Sequence, residues 1–204
     1  NNFIFLMRYT SYQNMSDVVL WELILKGDMK AMSLLYKKHY ELLLNFGLKY
    51  TPDEEFIKDC IQDVFVKLCA SKRLSSTKYV RSYLLTSLKH IIFDKLSSLK
   101  VTEELDEYFF ELKIENSVLE TLFKDNDEDL QLSKKLINAY KSLPDNQRMA
   151  IYLRYVRGLS YKEMAIVLNV NPQSSMNLVS RALTSLRSKM TLEEYLLIMI
   201  LFCS

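Results

Sequence analysis

Residues 159–190, LSYKEMAIVLNVNPQSSMNLVSRALTSLRSKM, admit one local structure: two short helices joined by a tight turn. Ser160 can cap the first helix with its hydroxyl while Glu163, three residues on, reaches back to the amide of the cap, a capping box that starts the helix at Tyr161. Met164, Ala165 and Leu168 recur on one face at helical spacing, and the small Ala165 lets a second helix cross closely. The turn falls at residues 169–171. Asn171 is a good N-cap, and Pro172 suits the first helical position, where its missing amide donor would have had no partner. The second helix then turns Val179, Ala182, Leu183 and Leu186 inward and leaves Gln173, Ser174, Asn177, Ser180 and Arg181 outward. Those outward types suit a DNA groove: Gln and Asn pair in bidentate fashion with adenine, Arg with guanine, and Ser with phosphates or base edges. A helical hairpin with a merely solvated polar face has the same pattern, so the segment is a candidate DNA reader and no more than that by itself.

The rest of the chain also reads as helix. Only three glycines and three prolines interrupt 204 residues, and Leu, Lys, Glu and Met recur with a period near 3.6, so the fold class is all-α with no strand pattern. A hydrophobic fraction of 49% can fill one large core or two small ones. Leu34, Leu35, His39, Leu42 and Phe46 form one stripe that ends near Gly47. Thr51 as cap, Pro52 in the first helical position and Glu54 completing a second capping box restart the chain as a long helix running to about Ser71. Its core face is Ile57, Ile61, Val64 and Leu68, with Asp59, Gln62, Asp63 and Lys67 outward. After a break at residues 74–77, Val80, Leu84, Leu88 and Ile91 build another inward stripe beside Lys78, Tyr79, Arg81, Tyr83, Lys89 and Lys95. Cations that follow phosphates, interleaved with rings that stack on unpaired bases, suit single-stranded nucleic acid. For Tyr83 alone, a place in the core is the preferred reading.

Charge divides the chain where hydrophobicity does not. Residues 22–100 carry 14 Lys/Arg against 9 Asp/Glu, residues 101–132 carry 2 against 11, and residues 133–190 carry 10 against 2. Two basic helical domains joined by an acidic linker point to two contacts with a polyanion, the linker being kept off it. The linker mixes ELDEYFFELKIENSVLETLF, apolar enough to fold on a partner, with NDEDLQ, which reads as a flexible tether.

Catalysis and metal binding find no constellation. Cys60, Cys69 and Cys203 lack metal-ligand spacing and read as ordinary buried thiols of a reducing cytoplasm; His39 and His90 sit beside no cysteine or carboxylate at zinc or triad spacing. No cofactor, no metal, no small-molecule substrate and no enzyme activity are expected. The opening NNFIFLMRYT lacks the charged lead and cleavage site of a signal peptide, and Met15 reads as the natural start. YLLIMILFC, residues 195–203, is far below the roughly 18 residues of a membrane span and reads as a helix packing on the body, with partner binding or autoinhibition as the sharper alternative.

In this order the pieces resemble a bacterial RNA polymerase sigma factor of the extracytoplasmic-function group. GDMKAMSLLYKKHYELLLNFGLKYT followed by DCIQDVFVKL resembles the domain that docks on the polymerase clamp, which implies polymerase binding by Asp59, Gln62 and Asp63. VRSYLLTSLKHIIFDKL resembles the helix that melts and captures the minus-ten strand, implying roles for Lys78, Tyr79, Arg81, Tyr83, Lys89 and His90. SLPDNQRMAIYLRYVRGLSYKEMAIVLNV with RALTSLR resembles the minus-thirty-five reader, in which Gln173, Ser174, Asn177, Ser180 and Arg181 contact DNA. QSSMNLVSRAL is similar to the Bacteroidetes version of these factors, which implies an anti-sigma protein as a partner beside core RNA polymerase and promoter DNA.

The division implied is an extension over 1–21, a region 2-like domain over 22–100, the acidic linker over 101–132, a region 4-like helix-turn-helix domain over 133–190 and an apolar tail over 191–204. The family's linker threads through polymerase toward the RNA exit path, which implies the same for 101–132. Three features depart from the family pattern. His90 stands where Asn is usual, Leu96, Ser97 and Ser98 replace an Arg-rich helix end, and Ser175 and Met176 replace a usual Val and a frequent cation at the start of the recognition helix. The first two bear on strand capture and the third on base preference. The alternative function is a two-domain helix-turn-helix regulator that does not act as a sigma factor; a further alternative is an interaction module with no DNA function.

Overall fold

Ser16 and Asp28, short acceptors of backbone N–H groups, start the first two helices of the computed structural model, which describes residues 15–71, 74–98, 135 and 138–195. α1 is Asp17–Leu25, capped by Ser16 Oγ on Val19 N, and α2 is Met29–Gly47, whose cap Asp28 takes the N–H groups of Lys30 and Ala31 at 2.8 and 3.1 Å. Gly27 between them has φ +86°, a backbone state that favours glycine. α3 is Glu54–Ala70 and α4 is Val80–Ser98. The expected cap at Thr51 is corrected: Asp53 caps α3 by accepting Phe56 N at 3.0 Å, while Thr51 Oγ1 accepts only Asp53 N at 3.3 Å. A carboxylate accepts more strongly than a hydroxyl and its charge suits a helix N-terminus.

The first unit closes its core with Leu20, Trp21, Leu35, Phe46, Ile57, Ile61, Leu84, Leu88 and Ile92. α1 runs across residues 21 and 22, so Leu20 and Trp21 belong to this core. On α2 the buried face is rotated from the expected stripe: Leu34 and Leu42 are half-buried, and Ala31, Met32 and Leu43 take the interior with Leu35, His39 and Phe46. Gly47 ends α2 where a Cβ would stand 2.4 Å from Ile57 Cγ2, so only glycine lets α3 come this close.

Asp17 ties α1 to α2, its carboxylate lying 2.7 Å from Lys38 Nζ and 3.0 Å from Nε2 of buried His39. Burial by itself would raise the Asp17 carboxyl, but hydrogen bonds from His39 and Lys38 hold it well below the usual carboxylate range. A depressed folded value means that the stabilisation is complete above the unfolded value of about 4 and is lost as pH falls below it. Asp17→Asn is expected to cost about 2 kcal/mol at pH 7, the scale of hydrogen bonds to a charged group. Urea titrations should show the gap between variant and parent begin to close as pH falls below about 4 and go on closing toward the much lower folded value.

The second unit holds α5, Asp145–Ile151, running on as one π-helical stretch, Tyr152–Val156, then α6, Tyr161–Leu168, and α7, Pro172–Arg187. Tyr140 Oη donates to the Arg148 carbonyl at 3.0 Å, and Gly158, at φ +63°, turns the chain into α6. Both halves of the Ser160–Glu163 capping box form, and Asn169 ends α6 in the left-handed conformation that returns Val170 N–H to the Ala165 carbonyl. On α6 Val167 is buried in place of the expected Leu168, which is half-buried. Leu183 on α7 is half-buried as well, beside buried Val179, Ala182 and Leu186. Thr191 and Glu194 form a further reciprocal cap at the head of the C-terminal segment, and Lys135 Nζ meets Glu194 Oε1 at 2.8 Å. The expected linker over 101–132, Cys203 and most of the apolar tail lie outside the described residues. Among the described residues there is no strand, and no helix is long and apolar enough to cross a membrane.

Candidate polymerase and nucleic-acid interfaces

Three faces carry the residues singled out above. On the first, Asp59 and Gln62 are exposed on α3 and line an open groove of about 900 Å³ whose floor includes Tyr36, Tyr40, Phe65 and Val66. Tyr36 stands edge-on to Phe65, with centroids 4.9 Å apart, and 5.5 Å from Tyr40. Asp63 does not join them there: it pairs with Lys95 Nζ at 2.7 Å and keeps 42% of its side chain exposed. That pairing raises the Lys95 ammonium above its ordinary value. The groove's aromatic floor went unread in the sequence, although Tyr36 and Tyr40 lie one helical turn apart on the polar side of α2. The buried reading of Cys69 is corrected, since it is exposed and opens on the same groove, whereas Cys60 is buried and burial pushes its thiol up to about 11.

The second face belongs to α4 and the loop before it. Thr77 Oγ1 accepts Tyr79 N–H at 3.1 Å, Lys78 Nζ lies 5.2 Å from the centre of the Tyr79 ring, and His90 is exposed. Arg81 is half-buried. The core reading of Tyr83 is corrected: the residue is 37% exposed, its ring in T-shaped contact with that of buried Trp21. Trp21, 62 residues earlier in sequence, takes the interior place. Lys89 is half-buried, burial lowers the pKa of its ammonium, and no carboxylate pairs with it among the described residues. At the helix end the hydroxyls of Ser97 and Ser98 fold back onto the carbonyls of Asp94 and Lys95.

The third face is α7. Asn171 Oδ1 accepts Ser174 N at 2.7 Å, and Gln173 Nε2 donates to Asn177 Oδ1 at 3.2 Å, which aligns two amides one turn apart. Gln173, Asn177, Ser180 and Arg181 are exposed and Ser174 is half-buried. Asn177 and Arg181 also border a groove of about 270 Å³ with Leu168, Val170 and Leu178. Ser175, expected to bear on base preference, is fully buried, its hydroxyl facing the carbonyls of Tyr161 and Pro172 at 2.9 and 2.8 Å. It joins α6 to α7 and is turned away from the exposed face.

Sigma-70 region 2 matches residues 35–101, which include the first two faces, and Sigma-70 region 4 matches residues 133–186, which include the third. The ECF RNA polymerase sigma-E factor of Escherichia coli K12 is 27% identical over 188 residues, covering 87% of this chain and 95% of that protein. The sigma-E factor of Salmonella typhimurium LT2 is equally similar, and the ECF RNA polymerase sigma factor SigM of Bacillus subtilis 168 is 21% identical over 154 residues, covering 76% and 91%. The chain belongs to the sigma-70 family, ECF type. It is an alternative sigma factor that directs transcription initiation. The two matched regions of this sigma factor fall one in each of the two compact units, so the first two faces lie on one unit and the third on the other.

Proposed function

We propose that the first unit docks on core RNA polymerase through the groove of Asp59 and Gln62 and holds the melted minus-ten strand with Lys78, Tyr79, Arg81, Tyr83, Lys89 and His90. The observation that carries this reading is the placement of exposed Asp59 and Gln62 above an aromatic floor, an acidic and apolar surface fitted to a basic amphipathic helix. Asp63 joins that contact by exchanging Lys95 for a cation of the partner. The second unit lays α7 in the major groove upstream, where Gln173, Asn177 and Arg181 meet base edges and Ser174 and Ser180 meet phosphates. The protein performs no chemistry of its own; it acts in the cytoplasm, where polymerase works. QSSMNLVSRAL supports a Bacteroidetes-type subgroup and, with it, control by an anti-sigma protein.

Transcription with purified core polymerase on a genomic fragment library tests the whole reading. Discrete start sites that require this protein are the expected result, and their aligned upstream sequences define its promoter. A protein that binds duplex operators tightly by itself and yields no new transcript would be the regulator of the alternative reading.

A further inference from the structure

α1 lies ahead of the stretch that matches Sigma-70 region 2, yet two consecutive side chains on it hold the approach to α4. Trp21 is fully buried, and its indole Nε1–H donates to the Ser75 carbonyl at 3.0 Å. Its ring meets that of Tyr83 with centroids 5.0 Å apart and planes inclined at 62°. Next to it, Glu22 Oε1 accepts a hydrogen bond from Ser76 Oγ. These contacts bracket the residues proposed for strand capture: Ser75 and Ser76 come just before Lys78 and Tyr79, and Tyr83 follows one helical turn later.

Between those points the loop is short and polar, with little apolar area of its own to order it. The T-shaped contact with Trp21 fixes the tilt of the Tyr83 ring and leaves Tyr83 partly open to solvent. Stacking on a base requires such an open ring at a fixed angle, and a loop ordered in advance spares the entropy of ordering it during binding. We propose that Trp21 and Glu22 are positioning residues for promoter-strand capture. α1 sets the 74–79 loop and the Tyr83 ring so that the Lys78 cation and the Tyr79 and Tyr83 rings meet backbone and bases in one register. The inference rests on the strand-capture reading above.

Trp21→Phe, Glu22→Ala, Glu22→Gln, Lys78→Ala and Tyr79→Ala test it in the full chain. Each variant is assembled with core polymerase. Two affinities are read, one for core and one for a fluorescein-labelled single strand carrying the minus-ten sequence identified by transcription. Trp21→Phe removes the indole donor and keeps a ring, and Glu22→Ala removes the acceptor for Ser76. Each is expected to weaken strand capture about five- to tenfold, the scale of one hydrogen bond, with core affinity unchanged. Glu22→Gln keeps an acceptor and should return capture to within about twofold of the parent. Unchanged capture in Trp21→Phe and Glu22→Ala, with capture reduced in the Lys78 and Tyr79 variants, would overturn the positioning role and leave strand capture standing. Unchanged capture in the Lys78 and Tyr79 variants would overturn the strand-capture reading itself. Equal losses of core and strand affinity in the Trp21 and Glu22 variants would mark a structural role only, and a Glu22→Gln protein as weak as Glu22→Ala would remove the Ser76 bond from the argument.

Discussion

Asp59→Arg is expected to lower affinity for core RNA polymerase by about 100-fold or more, because setting a cation against a surface selected for an acidic partner costs several kcal/mol. Asp59 is exposed, borders the groove and pairs with no cation among the described residues, so reversing its charge leaves the fold intact. Asp63→Asn should behave differently. It removes the exposed pair with Lys95, worth about 0.2–1 kcal/mol, so it loosens the join between α3 and α4 and weakens docking far less than the charge reversal at Asp59. Cys69 offers a direct readout, since its thiol opens on the groove while the buried Cys60, raised to about 11, stays unreactive at neutral pH. In a Cys203→Ser background, core polymerase should protect Cys69 from maleimide in the parent and not in Asp59→Arg. Protection that survives the charge reversal would place docking on another face.

Truncating both Asn177 and Arg181 to Ala should abolish promoter-specific transcription while leaving core affinity unchanged. Each bidentate base contact is worth about 1–3 kcal/mol of discrimination, so two lost contacts amount to about 30-fold at the least. Gln173 Nε2 holds Asn177 Oδ1, which leaves the Asn177 amide N–H groups as donors and its orientation restricted; Arg181, one turn on, is exposed and free to reach the groove. The two roles open to Arg181 separate by experiment: if it reads a base, Arg181→Ala relaxes preference at one promoter position, and if it holds phosphate, binding weakens across all sequences and the salt dependence becomes shallower by about one unit. Competition among promoter variants at two salt concentrations decides between them. Transcription unchanged by the double substitution would remove α7 from promoter reading.

The helix-turn-helix was legible because its determinants are local. A cap, its reciprocal Glu three residues on, a left-handed Asn and a proline at the first helical position act over one turn of chain, and α6 begins and ends, and α7 begins, where those residues stand. The same reasoning misplaced the cap of α3, where Thr51 and Asp53 compete for one role and the stronger acceptor takes it. It also misjudged Ser175 and Tyr83. A serine on the first turns of a recognition helix reads as a surface residue until α6 closes over it, and a tyrosine beside a pair of leucines reads as core until Trp21 occupies the interior.

By itself, then, the sequence determined the all-α class, the two basic segments with an acidic stretch between them, the start of the reading helix and the exposure of Gln173, Asn177, Ser180 and Arg181 along it, since period, caps and charge are properties of neighbours in the chain. Only the tertiary structure decided that Asp59 and Gln62 share a groove with Tyr36 and Tyr40 while Asp63 turns to Lys95, and that Trp21 bonds to a loop 54 residues away. Those partners come from helices that meet through packing, and a side chain's spacing along its own helix carries no information about which other helix will lie against it.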